Sequence, residues 1–203
     1  VDTLRSIGIN VYDCSLASTP AMFMSTMDLH CDAAIEITAS HHPFNRNGLK
    51  FFVKDGALNS QDIEKILEYA QNESFPEKTQ PGKYEKVDYM KQYAKHLREI
   101  ICSGIDSQNN DKPLEGLKIV VDAGNGVGGF YAYDVLEPLG ADITGSRFLD
   151  PDGMFPNHIP NPENKEAMES IKQATIDNKA DLGIIFDTDV DRAGAVDSNG
   201  NEI

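Results

Sequence analysis

From Leu117 onward, short apolar runs alternate with helical stretches, and this alternation limits the folds open to the chain. "LKIVVDA" reads as a strand, "VGGFYAYDVLEPLG" as helical, and "ADITGS" as a second strand. Asn161-Pro162-Glu163 reads as a helix start, with the cap at Asn161 and proline at the first helical position. Ala167, Met168, Ile171 and Ala174 then share one helix face. "DLGIIFD" is apolar along its whole length, as strands covered on both faces are. Strand–helix–strand alternation of this kind predicts an α/β layered domain.

The first half follows a different order. "CDAAIEIT" predicts a short buried strand, and "GLKFFV" predicts another after a turn at Asn47-Gly48. A helix is expected over Ser60–Gln71, capped by Ser60, with Ile63, Ile66, Leu67 and Ala70 on one face. The polar stretch "NESFPEKTQPGKYEK" (72–86) reads as loop or linker. A second amphipathic helix is expected over about Asp88–Cys102, and "SGIDSQNNDKPLEG" (103–116) reads as a domain boundary. The chain opens on Val1 and stops soon after a turn-like "DSNGN", so a piece of a longer protein is expected.

Charge narrows the function classes. The net charge is −15, which argues against a nucleic-acid partner, because such binding rests on Lys and Arg meeting phosphates. No apolar run approaches the roughly 18 residues that would cross a membrane. Cys14, Cys31 and Cys102 form no C-x-x-C pair, so a reducing, cytoplasmic setting is the simplest expectation.

Three stretches could carry chemistry. "GNGVGG" (Gly124–Gly129) formally matches G-x-G-x-x-G, so an NAD-binding oxidoreductase is one reading. The next strand, however, is followed by Arg147 where an acidic ribose partner is needed, and a tight glycine turn is the alternative. Asp187, Asp189 and Asp191 alternate in "DTDVDR", beyond the carboxyl end of "DLGIIF". Carboxylates so spaced repel one another unless a hard cation joins them; a solvated acidic loop is the other reading. A calcium loop would need Gly and Glu where Arg192 and Ser198 stand. Arg192 adds a planar cationic fork suited to phosphate. "TASHHP" places Ser40 beside His41 and His42, with neither a nucleophile elbow nor triad geometry. It is either a polar turn before Pro43 or an acceptor of phosphoryl groups, which needs an oxygen, a metal and cationic clamps.

"TASHHPFNRNGLKFF" and "DTDVDR" together resemble the α-D-phosphohexomutase family, and "STPAMF" and "FPNHIPNPE" are similar to further family segments, in the same order. The resemblance implies two α/β domains with mixed sheets flanked by helices: the later part of the first domain (1–87) and the second domain (88–203) of a four-domain phosphohexomutase. It implies phosphoryl transfer between the 1- and 6-positions of a hexose phosphate, through phosphoserine and a hexose bisphosphate. Ser40 matches the phosphorylated serine, Asp187, Asp189 and Asp191 the Mg2+ ligands with a phosphoserine oxygen beside them, and Arg192 the arginine next to the phosphoserine. Lys50 matches the lysine proposed to assist proton transfer, and His41 a contact of the site. His42 stands where asparagine is common and Thr188 where glycine is common. Thr38 leans towards a mannose or glucose phosphate. The isolated chain is expected to be inactive, and a non-catalytic relic is the further alternative.

Overall fold

The computed structural model describes residues 1–73, 75–105 and 111–203. Part of the expected boundary at 103–116, residues 106–110, lies outside the described residues, as does residue 74 in the stretch 72–86. In chain order the elements are α1 (Asp2–Ser6), β1 (Val11–Asp13), α2 (Thr19–Asp28), β2 (Ala33–Ile37), β3 (Leu49–Val53), β4 (Gly56–Ala57), α3 (Ser60–Gln71), β5 (Tyr84–Lys86), α4 (Tyr89–Gly104), β6 (Ile119–Asp122), α5 (Lys165–Asp177), β7 (Leu182–Phe186) and β8 (Ala193–Asp197). A single 3-10 turn at Val127–Gly129 and a wide helical turn at Tyr131–Leu136 follow β6.

The second half is a three-layer sandwich. β6 and β7 pair in parallel, and β8 closes the sheet antiparallel to β7. The alternation of side chains along β6 decides which layer each residue meets. Ile119 and Val121 join Ala132, Val135, Leu136 and Phe186 on one face. Val120 joins Ala167, Met168, Ile171, Ala174 and Ile185 on the other, beneath α5. The expected stripe of α5 is thus the buried one. The sheet is mixed, so the fully apolar β7 is covered on both faces without being wholly parallel.

The first half is built on an antiparallel sheet in the order β2-β3-β4. β2 and β3 pair from Ala33 opposite Val53 to Ile37 opposite Leu49, and the long connection between them is the "TASHHP" loop. Thr38 N donates to Gly48 O at 3.1 Å and closes that loop at its base. α2 starts at a Ser18 cap, whose hydroxyl accepts from Ala21 N. A third core joins the halves: Cys14, Ala17 and Ala21 pack on Tyr89 and Tyr93 of α4. The Tyr89 hydroxyl donates to Asp28 at 2.7 Å, at the far end of α2.

Four local expectations change. Asn59, not Ser60, caps α3, accepting from Asp62 N at 3.1 Å, and Ser60 is the first helical residue. Asn164, not Asn161, caps α5, because its carboxamide reaches both Glu166 N and Ala167 N. "ADITGS" is not a strand: only isolated parallel bridges, Lys118 to Asp142 and Asp122 to Arg147, run along this edge, since Asp142 folds back on Thr144 N and Gly145 turns at φ 105°. The end of the stretch 72–86 is not loop: after Pro81-Gly82, β5 pairs in parallel with β1.

The glycines of "GNGVGG" face protein atoms. A Cβ on Gly126 would lie 2.6 Å from Thr188 O, and one on Gly129 would lie 2.0 Å from Leu149 O. A Cβ on Gly128 would press on the Phe186 ring. Gly129→Ala should therefore cost about 3 kcal/mol, a fall in Tm of roughly 6–12 °C for a chain this long. Gly153→Ala, which meets nothing within 4 Å, should leave Tm nearly unchanged. Calorimetry on the two variants checks the contrast; equal Tm values would mean the turn is not held by that close approach.

Candidate active site

Loops more than 130 residues apart in sequence meet at one place. Ser40 stands in the β2–β3 connection with φ 52°, a left-handed conformation uncommon outside glycine. Ser40 N donates to Thr38 Oγ1 at 2.9 Å, which fixes the turn. The Ser40 hydroxyl donates to Asp187 Oδ2 at 3.2 Å and accepts from Arg192 Nη2 at 2.7 Å. The same Nη2 reaches His41 Nδ1 at 2.7 Å, so Nδ1 is an acceptor and the ring is neutral. Burial, the Arg192 charge and His42 all hold His41 below the usual histidine range. Ser40 Oγ lies 3.3 Å from the same Nδ1, but the shorter bond from Arg192 competes for that nitrogen. Among the described residues no carboxylate bonds the ring to orient it, so the third member of a triad is missing.

Asp187, Asp189 and Asp191 lie in the loop between β7 and β8. One oxygen from each falls within 4.8 Å of the others. Arg192 grips Asp187 from three directions: its backbone N, Nε and Nη2 donate at 3.0, 3.1 and 2.9 Å. Asp189 Oδ2 accepts from Lys50 Nζ at 2.7 Å and from the hydroxyls of Thr19 and Thr38 at 3.0 Å each. Lys50 Nζ also donates to Asp191 at 2.7 Å and to Thr19 Oγ1 at 3.3 Å, so all three of its protons have acceptors. The expected residues Ser40, His41, Lys50, Asp187, Asp189, Asp191 and Arg192 are all in this one cluster.

Electrostatics separate the two buried aspartates. Burial pushes Asp187 up to about 6, helped by the charges of Asp189 and Asp191 and opposed by the Arg192 amide. Burial works on Asp189 in the same sense, but the Lys50 bond and charge, with Thr19 and Thr38, outweigh it and hold Asp189 below the usual range. Lys50 is held above its usual value, because its two carboxylates overcome the cost of burial. The donor set fits a hard divalent cation. All the ligands are oxygens, and Asp189 Oδ1 is buried with no hydrogen-bond partner. Such an atom costs free energy unless something binds it.

Four contributors escape a reading for chemistry. Thr19 sits in "STPAMF" and Thr38 in "TASHHP", but hydroxyls carry no charge signal. Thr38 spends its hydroxyl on Asp189 and Ser40 N, which serine would do equally, so the contact gives no ground for reading the sugar from it. Asn161, read as a helix cap, accepts from Arg192 Nη1 at 3.1 Å. Glu36 is buried on the inward face of β2, opposite Lys50 in register. A lone acid inside "AAIEI" was the available signal.

The fold and the site define a class: paired α/β units whose serine loop and triple-aspartate loop converge on one group of charges. Residues 1–77 match the family described as phosphoglucomutase/phosphomannomutase, alpha/beta/alpha domain I, and residues 91–200 match its alpha/beta/alpha domain II. The chain belongs to the phosphoglucomutase/phosphomannomutase family. It is 34% identical over 210 residues to a phosphomannomutase of Escherichia coli (strain K12), covering 98% of this chain and 44% of that protein. It is 31% identical over 196 residues to a phosphoglucomutase of Neisseria meningitidis serogroup B, covering 97% of this chain and 40% of that one. The crystal structure of a phosphoglucomutase/phosphomannomutase family protein from Burkholderia thailandensis superposes with a TM-score of 0.83 at 30% identity, over 98% of this chain and 43% of that chain. The chain thus spans less than half the length of these relatives. Among the described residues no helix is long and apolar enough to cross a membrane.

Burial raises Glu36 to about 7, aided by the Asp189 charge and opposed by Lys50. A carboxyl whose value rises on folding favours the native state at low pH, and that stability is lost as pH rises from about 4.5 to about 7. Glu36→Gln should therefore be nearly neutral at pH 4.5 and stabilising by about 3 kcal/mol at pH 8. Denaturant midpoints at the two pH values test this; an equal effect at both would show that Glu36 stays ionised in the fold.

Proposed function

We propose that this chain is part of a phosphohexomutase, a phosphomannomutase or phosphoglucomutase, that moves a phosphoryl group between the 1- and 6-positions of a hexose phosphate. In this reading residues 1–87 supply the phosphoserine loop and residues 88–203 the metal loop. The observation that carries it is the Ser40 hydroxyl, held between Asp187 and Arg192 from the far half of the chain. Three related features support it: the Arg192 fork, the oxygen-only acidic cluster and the family to which the chain belongs. The glycine turn gives no such support to an NAD-binding reading, since its close contacts are all with the protein itself.

Phosphoserine at position 40 gives its phosphoryl group to a hydroxyl of the hexose monophosphate. The bond from phosphorus to Ser40 Oγ breaks as the bond to the sugar oxygen forms. The sugar hydroxyl gives up a proton and Ser40 gains one. The product is a hexose bisphosphate; once it has turned round, its other phosphate returns to Ser40 by the reverse step. Arg192 Nη2 already reaches Ser40 Oγ, the atom on which charge develops, and needs no movement to stabilise it. Lys50 adds a second cation and is the group for proton exchange. Mg2+ is the ion proposed for Asp187, Asp189, Asp191 and an oxygen on Ser40; when bound it neutralises charge on the group in transfer.

Ser40→Ala in the complete enzyme should remove most turnover and all phosphate from position 40, as read by coupled assay and mass spectrometry. Near-normal rates in that variant would exclude the shuttle, and a wild-type protein that never carries phosphate there would favour a non-catalytic relic. The 203-residue chain alone should show no mutase activity. It carries the phosphate acceptor, but positioning the sugar is worth roughly 7–11 kcal/mol of barrier. Sustained conversion of glucose 1-phosphate or mannose 1-phosphate by the isolated chain would refute this.

A further inference from the structure

Beside the site lies a buried ion pair that the proposed transfer does not use. His158 donates from Nε2 to Asp122 Oδ1 at 3.0 Å, and its Nδ1 faces Ile159 O at 3.1 Å. Both ring nitrogens thus meet acceptors, so the ring carries both protons. The bond and charge of Asp122 outweigh burial and hold His158 above its usual value. Asp122 is completed by Gly124 N at 2.9 Å and by Ser170 Oγ at 2.6 Å. Two residues further along, Pro160 is fully buried against Gly124, where a Cβ would come within 2.7 Å of it. Next in the chain is Asn161.

Asn161 Oδ1 accepts from Arg192 Nη1 at 3.1 Å and from Glu163 N at 3.1 Å. Arg192 has two ends to secure. Asp187 holds Nε and Nη2, and Asn161 gives Nη1 its hydrogen bond, with the exposed Glu163 carboxylate 3.8 Å away as a longer, solvent-screened ion pair. Asp187 is also a candidate metal ligand, so its oxygens have a competing use. Asn161 is neutral and has none, and its backbone is pinned by the His158–Asp122 pair and by Pro160. A carboxamide at this point fixes the plane of the guanidinium without cancelling its charge.

We propose that Asn161 is a positioning residue: it fixes Arg192 Nη1, so that Nη2 is aimed at Ser40, and the His158–Asp122 pair anchors the short arm that carries it. This rests on the role proposed for Arg192 at Ser40, but the geometry can be tested without activity. A guanidinium bonded at both ends rotates slowly about its Cζ–N bonds and shows separate Nη–H signals in nitrogen-15 NMR. In the 203-residue chain, the signals lost in Arg192→Lys identify the group. Asn161→Ala should merge them, with rotation faster by about tenfold or more, a free-energy change of about 1.4 kcal/mol. Asn161→Asp, which keeps an Oδ acceptor, should restore them. α5 carries its own cap at Asn164, so both variants keep the helix start.

In the complete protein, Asn161→Ala should lower kcat by about tenfold, with KM changed less, and should add little once Arg192 is already Ala. Unchanged Arg192 signals in Asn161→Ala, with only Tm reduced, would show a turn-forming role and overturn the proposal. Failure of Asp to restore the signals, or full additivity of Asn161→Ala with Arg192→Ala, would also overturn it. If the signals respond as stated but the complete protein converts no hexose phosphate, the positioning stands and the mutase reading falls.

Discussion

One oxygen of Asp189 ties the two halves of the chain together. Oδ2 accepts from Thr19 at the start of α2, from Thr38 at the end of β2 and from Lys50 on β3. Thr19 N also donates to the Asp189 carbonyl at 2.9 Å. Thr38 follows β2 and Lys50 lies on β3, neighbouring strands of one sheet, and Thr19 starts the helix α2, all in the first half, whereas Asp189 comes from the loop after β7 in the second. Burying a carboxylate costs several kcal/mol, which only an adjacent cation and further hydrogen bonds offset. Removing any of these donors weakens both the site and the contact between the halves. The partnerless Oδ1 marks what the protein groups leave undone, at a cost of about 1–3 kcal/mol.

Two backbone positions at the site are strained as well. Ser40 and Val190 both sit at positive φ, 52° and 65°. For a β-branched residue that conformation costs on the order of 1–3 kcal/mol. The Val190 side chain is buried with Ala94, Ile119 and Phe186, and burial of a valine returns a similar amount, about 1.5 kcal/mol or more. Core packing on one side of the loop thus holds the turn that brings Asp189 and Asp191 to face Lys50 on the other. The glycine turn adds a second brace, since Val127 N donates to Thr188 O at 2.8 Å. Thr188 makes that contact with its carbonyl, while its hydroxyl is buried without a hydrogen-bond partner.

What was legible in the sequence was whatever has a period or a charge. The apolar "DLGIIFD" and the stripe of α5 follow from burial that repeats along the chain, whereas β2, expected to be buried, turns Ala34 and Glu36 inward and leaves Ile35 and Ile37 exposed. The aspartates announced themselves by repulsion, and Arg192 by its place beside them. The cap positions were missed because Asn59 and Asn164 compete with equally suitable neighbours, and backbone direction decides among them. β5 was hidden because its pairing with β1 is a contact between residues about 70 apart, in a stretch of no apolar pattern. Thr19 and Asn161 were opaque for the same reason: a neutral hydrogen-bonding group becomes informative only when its partner's place is known.

Local charge reconciles so acidic a chain with the anionic substrate proposed for it. The net charge of −15 repels a sugar phosphate at range, although salt at physiological strength screens this beyond about 8 Å. What counts is therefore the sum inside the site. At neutral pH, three carboxylates against Lys50 and Arg192 leave one surplus negative charge, so the protein groups alone do not invite phosphate. A divalent cation on the aspartates turns the surplus into a single positive charge, and releases Lys50 from neutralising Asp189 and Asp191. A doubly charged phosphate on Ser40 would return the total to minus one. The serine phosphate and the cation thus favour each other, while each alone leaves the other's charges uncompensated. In this arrangement the aspartate loop and the serine loop have a reason to occupy the same place, although nothing in their separation along the chain requires it.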